Sequence, residues 1–161
     1  MNFTENLGSS LKNLTEKGAF LSVKSPEGIN TMTIAWGFAG MIWQKPYFIA
    51  LVRPQRYTKK ILEKANSFTV SVPEPGAMDE QLKVCGSKSG RDINKAEIVE
   101  FAASKSVESP IVKGCKSYYE CKISMVQRLD GSLIPEEVKK QFYSDDYHFM
   151  YFGEITECYF V

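Results

Sequence analysis

The sequence predicts a mostly β fold, an antiparallel barrel with peripheral helices, and three observations point to it. Alternating apolar and polar residues, typical of strands, recur along the chain, whereas helical periodicity is confined to short stretches. Glycine and proline separate these stretches at short intervals, as in sheets built from short connections. The chain has 161 residues, 43% of them hydrophobic, which suffices for one core. We therefore expect a single domain over residues 1–161.

Six stretches are predicted to be strands. The second carries small, hydroxyl-bearing residues on one face and bulky residues on the other, and a face of threonine and alanine can accept a flat ligand. The third is nearly continuous in apolar residues, so we expect both of its faces to be covered. The predicted strands span residues 18–25, 30–38, 47–52, 68–72, 118–128 and 148–161.

Three helices are predicted between these strands, over residues 57–65, near 78–84 and over 135–142. The first has apolar residues at helical spacing and lysines on the opposite side, and Thr58 is expected to cap its first turn. The third begins with Pro135 and two glutamates, which favour a helix start.

Charge and composition exclude several kinds of partner. Lys and Arg total 20 against 19 Asp and Glu, so no bulk field attracts nucleic acid or an anionic membrane. No apolar run is long enough for a membrane span, and the polar start lacks a signal-peptide core, so we expect a cytoplasmic protein. The four cysteines lack a C-x-x-C pair and occur with one histidine, which predicts buried reduced thiols and no metal site.

Well-known catalytic and nucleotide motifs are missing from the sequence. It contains no G-x-x-x-x-G-K-S/T, no strand-borne G-x-G-x-x-G, no H-E-x-x-H and no G-x-S-x-G. The sequence therefore disfavours a P-loop, a Rossmann site, a zincin and a serine hydrolase of the elbow type.

The corner that follows the third predicted strand is a candidate phosphate site. Residues 53–60 combine two arginines, the Thr58 hydroxyl and the start of a helix, which together suit a phosphate group. The alternative is a solvated basic turn that only keeps the surface soluble.

Two further segments strengthen this candidate when the three are taken together. Residues 87–95 combine hydroxyls, a flexible backbone and cations, although such loops are also ordinary connectors. The strand 30–36 adds the hydroxyls of Thr31 and Thr33 beside a backbone edge, although threonine is also common in plain barrel strands.

Five motifs occur in the order found in one family. They are NTMTIAW at 30–36, RPQRYT at 53–58, FTVSVP at 68–73, CGSKSGRD at 85–92, and the stretch from His148 through Gly153-Glu154-Ile155. In this order, over about residues 18–155, the chain resembles the flavin reductase-like, flavoredoxin-type proteins. The order of the motifs is more specific than any one of them.

The resemblance implies an FMN-binding split barrel that forms a homodimer with the flavin near the subunit interface. It places Thr31, Met32 and Thr33 nearest the isoalloxazine ring. It places Arg53, Arg56 and Thr58 at the phosphate and ribityl tail, helped by the loop at 87–95. The implied cofactor-binding residues are Asn30, Thr31, Met32, Thr33, Ala35, Trp36, Arg53, Arg56, Tyr57, Thr58, Ser87, Ser89, Gly90, Arg91 and Lys95.

The implied activity is that of an FMN-dependent oxidoreductase. Electrons would come from NAD(P)H or another donor and pass to a flavin, a protein or a small-molecule acceptor. His148, five residues before Gly153, has the spacing of a family histidine near the ring or the nicotinamide, where it would stack or donate a proton near neutral pH. A histidine satisfied by a nearby carbonyl is the alternative.

Two other functions remain open from the sequence. One is a non-enzymatic FMN protein that only carries electrons, and the other is a barrel that binds another planar ligand such as haem, with His148 as its imidazole ligand. Cys85, beside the cationic loop, is expected to be a small packed thiol, with a thiol of low pKa as the alternative.

Overall fold

The computed structural model describes residues 2–161 and confirms the mostly β, antiparallel architecture. Seven strands form one antiparallel sheet, and two short strands form a second. The strands are β1 (Ala19–Ser25), β2 (Gly28–Ile34), β3 (Gly37–Ile42), β4 (Lys45–Val52), β5 (Ser67–Val72), β6 (Phe101–Ala102), β7 (Ile111–Val112), β8 (Ser117–Arg128) and β9 (Phe149–Phe160). The α-helices are α1 (Leu7–Glu16), α2 (Tyr57–Leu62), α3 (Asp79–Ser87) and α4 (Glu136–Phe142), with 3-10 turns at Lys95–Glu97 and Gly131–Leu133.

The large sheet curls into a barrel that is open on one side. Its strand order is β2-β1-β5-β8-β9-β4-β3, so β2 and β3 lie at opposite edges. Only Ala35 and Trp36 connect these two strands, and the Leu51 amide of β4 donates to the Trp36 carbonyl at 3.3 Å. Because two residues cannot cross a flat seven-stranded sheet, the two edges must come close together.

Tight turns fix the two hairpins that flank this junction. Ser25 pairs with Gly28 at the end of the β1–β2 hairpin, which leaves a two-residue turn. In the β3–β4 hairpin, Trp43 and Gln44 both have positive φ, 50° and 60°, as a type I′ turn requires. A type I′ turn matches the twist of antiparallel strands, and the short turns set the register of both pairs.

The main core fills the interior of the barrel. Large side chains from several strands meet there, among them Leu21, Phe48, Phe68 and Tyr119. Gly153 of β9 is required at this place, because a Cβ there would lie 2.5 Å from the Phe68 ring. A second, smaller cluster lies between the sheet and α3 and includes Phe20, Leu82 and Cys85.

The predicted strands and helices correspond to observed elements, with three differences. The stretch 30–38 was expected to be one strand, but it divides at Ala35 and Trp36 because the chain passes there from one sheet edge to the other. Sequence patterns also missed β3 as a separate strand, and they missed α1 and the two-residue strands β6 and β7 altogether. The expectation that Thr58 caps α2 is wrong, since Arg56 is the N-cap residue and no side chain caps this helix.

None of the helices in residues 2–161 is long and apolar enough to cross a membrane.

Candidate functional site

A cleft with two adjoining cavities lies where the edges of the barrel approach each other. The cavities measure about 270 and 290 Å³, and both are lined by Met32, Arg53 and Arg56. The first, here the basic cavity, is also lined by Asn30, Gln55, Tyr57, Thr58, Cys85, Ser87, Lys88, Ser89, Gly90, Arg91 and Lys95. The second, here the aromatic cavity, is also lined by Thr33, Ile34, Ala35, Trp36, Leu51, Gly86 and His148.

The basic cavity carries positive charge that no acidic residue in its lining neutralises. Five cationic side chains line it, and neither Asp nor Glu does. Arg53 forms an ion pair with Asp146 at 2.5 Å. Arg56, Lys88, Arg91 and Lys95 form no ion pair with any other residue between 2 and 161. An anion in this cavity would meet an unbalanced positive field.

The C-terminal turn of α3 positions two of these cations. Arg56 donates to the Gly86 carbonyl at 2.8 Å, and the Lys95 ammonium donates to the Cys85 carbonyl at 2.8 Å. Lys95 also donates to the Thr31 carbonyl of β2 at 3.3 Å and is only 4% exposed. Helix C-termini attract cations because their last carbonyls lack intrahelical partners. These bonds orient both charges but leave them without a counter-ion.

Burial disfavours the charged forms of Lys95 and Arg56. It lowers the pKa of Lys95 below its ordinary value, and the charge of Arg56 lowers it further. Burial, followed by the charge of Arg53, lowers the pKa of Arg56 in the same way. A bound anion would relieve this cost, because an opposite charge favours the charged forms.

Thr58 and Asn30 form a buried polar pair beside these cations. The Asn30 amide donates to the Thr58 hydroxyl at 2.9 Å, and the residues are 3% and 1% exposed, respectively. Within residues 2–161 the proton of the Thr58 hydroxyl has no acceptor, so it is available to a ligand oxygen in the basic cavity.

The loop after α3 packs closely against α2 at the mouth of the basic cavity. A Cβ on Gly90 would lie 2.4 Å from Asn30 Oδ1 and 2.8 Å from the Tyr57 ring. Arg91 lies over that same ring, 5.0 Å from its centroid. The loop therefore needs a glycine at this point to bring Ser89 and Arg91 to the cavity.

The aromatic cavity is bounded by rings from two separate parts of the chain. Trp36, at the β2–β3 junction, lies 4.9 Å from the His148 ring between centroids. It also contacts Phe142 edge-on at 5.4 Å and Tyr143 at 6.5 Å. The Tyr143 hydroxyl and His148 Nδ1 are hydrogen-bonded at 3.0 Å. These four residues are here called the aromatic wall. Trp36 and His148 line the cavity and suit a planar apolar group, and Phe142 and Tyr143 pack against Trp36.

His148 is neutral at pH 7. Burial, helped by the charges of Arg53 and Arg56, lowers its pKa to about 4, and only Asp146 opposes the shift. A neutral imidazole is a poor proton donor near neutral pH, so the structure disfavours that predicted role and leaves stacking. Its ring partner is the Tyr143 hydroxyl rather than the carbonyl expected in the alternative.

The structure brings together every predicted binding residue except Thr31. That side chain is fully buried, its hydroxyl donates to the Leu21 carbonyl at 3.1 Å, and it lines neither cavity. Thr33 does line the aromatic cavity, but its hydroxyl donates to the Leu82 carbonyl of α3 at 2.6 Å. The predicted threonine and alanine face therefore lines the cleft at Thr33 and Ala35, whereas the prediction for Thr31 is wrong because its hydroxyl is buried against β1.

Several lining residues escaped the sequence analysis. Gln55, Gly86 and Lys88 lie within the quoted motifs and were detectable there, whereas Leu51 lacks any local signal. Cys85 also lines the basic cavity, but burial raises the pKa of its thiol, with Lys95 only partly opposing this. The low-pKa alternative for Cys85 is therefore wrong, and all four cysteines are free and buried as predicted.

The fold and the cleft define a split-barrel protein with a basic and an aromatic compartment. The chain belongs to the family of the flavin reductase like domain, whose model matches residues 13–161. The resemblance noted in the sequence is thereby confirmed. Comparison with curated protein sequences found no match.

Three of the solved structures with similar folds are each less than 25% identical to this chain. An FMN-binding protein from Thermus thermophilus with bound 1-cyclohex-2-enone is 24% identical, with a TM-score of 0.70 over 88% of this chain and 68% of that one. A flavoredoxin from Methanosarcina acetivorans is 21% identical, with a TM-score of 0.70 over 90% and 68%. An NADH:FAD oxidoreductase from Streptomyces globisporus, in complex with NAD and FAD fragments, is 16% identical, with a TM-score of 0.67 over 90% and 75%.

Proposed function

We propose that this protein binds FMN in the cleft and acts as an NAD(P)H-dependent oxidoreductase. One observation carries the proposal. A cavity with unneutralised cations adjoins a cavity bounded by aromatic rings, and the two share Met32, Arg53 and Arg56. A ligand with an anionic tail and a planar head fits that arrangement, and FMN has both.

The residues of the basic cavity fit a phosphate group. Arg56 and Lys95 supply two oriented positive charges, and the Thr58 hydroxyl supplies a proton that has no other acceptor in residues 2–161. Charge-assisted hydrogen bonds of this kind are the strong ones in proteins. Lys88, Ser89 and Arg91 border the same cavity closer to solvent.

The residues of the aromatic cavity fit an isoalloxazine ring. Trp36 and His148 offer flat surfaces, and Met32 and Leu51 add apolar side chains to the same lining. When bound, FMN supplies the redox chemistry itself, so the chain has only to bind, orient and shield it. Backbone amides near the ring stabilise charge that develops there, a role the β2–β3 junction suits.

NAD(P)H is the proposed electron donor, and a flavin, a protein or a small molecule is the proposed acceptor. The family of the chain supports a reductase, and an NADH-dependent oxidoreductase is among the proteins of similar fold.

A homodimer is also proposed. Phe38, Met41 and Trp43, on and just after the edge strand β3, are 50%, 58% and 66% exposed. Exposed apolar residues on an unpaired strand edge suit a second copy of the chain. Sedimentation equilibrium should give twice the monomer mass, and Trp43→Gln with Met41→Gln should reduce it toward that of the monomer.

A non-enzymatic electron carrier that binds FMN is the second candidate. The features that fit FMN, the unpaired cations of the basic cavity and the flat rings of the aromatic cavity, suit a carrier as well as a reductase. The two candidates differ in whether a nicotinamide donor reduces bound FMN faster than it reduces free FMN.

An absorbance spectrum of the purified protein followed by anaerobic NADH and NADPH titrations tests the proposal. We expect a bound flavin spectrum that bleaches faster with a nicotinamide donor than free FMN does. A colourless protein that ignores added FMN would refute it, and a haem spectrum would indicate the other planar ligand. Bound FMN reduced only at the rate of free FMN would favour the carrier. Lys122→Met, an exposed cation on β8 outside both cavities, is the matched control for variants of the basic cavity.

A further inference from the structure

Arg53 differs from the other cations of the cleft in what its guanidinium contacts. One terminal nitrogen donates to Asp146 at 2.5 Å, and the other donates to the Phe142 carbonyl at 2.7 Å. Both partners belong to residues 142–148, the segment that joins α4 to β9. Both terminal nitrogens, which could otherwise bind a phosphate in a bidentate manner, therefore already donate to groups of the protein.

Asp146 is the centre of the polar contacts in this segment. Besides Arg53, it accepts from the Gln55 amide at 3.0 Å and from the Ser144 backbone amide at 2.9 Å. These bonds and the charge of Arg53 hold the pKa of Asp146 well below its usual range, so the pair is charged at neutral pH. Arg53 and Gln55 follow β4 directly, so the pair joins the segment to the barrel.

Three of the four residues of the aromatic wall belong to the same segment. Arg53 also packs over the Tyr143 ring at 5.2 Å, and the Tyr143 hydroxyl bonds His148. Phe142, Tyr143 and His148 all contact Trp36. Between α4 and β9 the chain has only six residues and includes Asp145 with a positive φ of 64°, so regular secondary structure does not fix it.

We infer that the Arg53–Asp146 pair is a positioning pair that fixes residues 142–148 against the barrel and thereby sets the aromatic wall. Arg53 then acts through Tyr143 and His148 rather than as a phosphate ligand. The inference rests on the proposed function only for the identity of the ligand that contacts the wall.

The single histidine of the chain provides a direct test on the protein without ligand. The charged groups that face its ring are Arg53 and Arg56, from the turn after β4, and Asp146, from its own segment. If charge alone acts, Asp146→Asn removes the one group that raises the pKa of His148, so that pKa falls further. If the pair positions the wall, the same substitution frees the segment and exposes the ring, so the pKa rises from about 4 toward 6.5.

NMR titration of the proton on Cε1 of His148 measures whether its pKa rises or falls. We expect the pKa to rise in Asp146→Asn and also in Arg53→Lys, which keeps the charge but lacks the two terminal nitrogens that contact Asp146 and the Phe142 carbonyl. Asp146→Glu should restore most of the low value, and Arg91→Met, a cleft cation without contact to the segment, should leave it unchanged. A fall or no change in Asp146→Asn, or no change in Arg53→Lys, would overturn the inference. Circular dichroism confirms that each variant is folded.

Tryptophan fluorescence gives a second measurement without ligand. In a Trp43→Phe background, Trp36 is the only remaining tryptophan. Acrylamide should quench it more strongly when Asp146 is replaced by asparagine, and equal quenching would contradict the inference.

Binding of FMN and riboflavin separates this inference from the proposed function. Arg53→Lys should weaken both ligands by a similar factor, since the ring is common to them. A loss confined to FMN would instead identify Arg53 as a phosphate ligand. If neither ligand binds the unmodified protein, the proposed function fails while the NMR result still decides the inference.

Discussion

The two cavities of the cleft are built in opposite ways. In the basic cavity, Arg56 and Lys95 are oriented by backbone carbonyls and have no acidic partner in residues 2–161. In the aromatic cavity, the charge of Arg53 is matched by Asp146, and the ring of His148 is kept neutral. Arg53 and Arg56 line both cavities, but Lys88, Arg91 and Lys95 line only the basic cavity, which therefore offers a ligand more unpaired positive charge.

This difference shows that the partner of a cation, rather than its presence in a cleft, decides its role. A buried charge held by carbonyl oxygens is oriented but not neutralised, so it retains affinity for an anion. A charge paired with a carboxylate is largely neutralised and serves structure instead. Four experiments test the comparison.

The largest effect is expected from removing the two oriented cations. Arg56→Met combined with Lys95→Met should weaken FMN by at least about a hundredfold, since each charge-assisted bond contributes about 1.5 to 3 kcal/mol. Riboflavin, which lacks the phosphate, should bind as before. Flavin fluorescence titrations measure both affinities. Equal losses for the two ligands would show that the substitutions damage the whole cleft.

Acid pH should destabilise the protein through His148. Its pKa is about 4 in the native state against 6.5 in the unfolded chain. The contribution of His148 to the free energy of unfolding is therefore complete above pH 6.5 and is lost as the pH falls toward 4. The loss is about 2.5 kcal/mol between pH 7 and 4.5. Urea unfolding at both pH values should show that His148→Gln loses less stability over this range than the unmodified protein does. Equal losses would contradict a neutral, buried imidazole.

Close packing at the mouth of the basic cavity predicts an intermediate loss of stability when Gly90 is enlarged. Gly90→Ala would place a Cβ 2.4 Å from Asn30 Oδ1, and such overpacking costs about 1 to 3 kcal/mol. Gly40→Ala is the matched control, because nothing lies within 4 Å of its Cβ. Urea unfolding should therefore show a loss for Gly90→Ala and almost none for Gly40→Ala. Similar stabilities would mean that the 88–94 loop adapts freely.

The smallest effect is expected at alkaline pH. The pKa of Lys95 is lowered by burial, so its positive charge is lost at a lower pH than that of an ordinary lysine. FMN affinity should then fall by about tenfold as the pH rises through that value, which corresponds to about 1.4 kcal/mol. Titrations of FMN and riboflavin from pH 7 to 10 measure the trend. In Lys95→Met, the affinity for FMN should depend on pH no more than the affinity for riboflavin does. If FMN affinity in that variant still falls as in the unmodified protein, a group other than Lys95 titrates.

Sequence patterns located most of the fold because they record local periodicity. The apolar run that became β4 and the alternation that became β5 and β8 are visible within a few residues. The strand break at Ala35 and Trp36 is not, because it follows from the meeting of two sheet edges far apart in strand order. Alternation alone likewise assigned Thr31 to an open face, whereas its hydroxyl is buried and donates to the Leu21 carbonyl of β1.

The sequence identifies the segments that form the candidate site but not the contacts between their side chains. Nothing in the sequence distinguishes the role of Arg53 from that of Arg56. No local pattern shows that Asp146, 93 residues away, pairs with Arg53. The depressed pKa of His148 likewise depends on burial and on Arg53 and Arg56, not on its neighbours in the chain.

The amino-acid sequence by itself indicated most strands of the large sheet, three of the four α-helices and the residue types of the cleft, since periodicity and turn chemistry act over a few residues. The tertiary structure alone decided which cations keep their charge available, because that depends on the carbonyls and carboxylates brought beside them by folding. Desolvation and pairing are properties of a place in the folded molecule, and the same arginine side chain can serve recognition or structure according to that place.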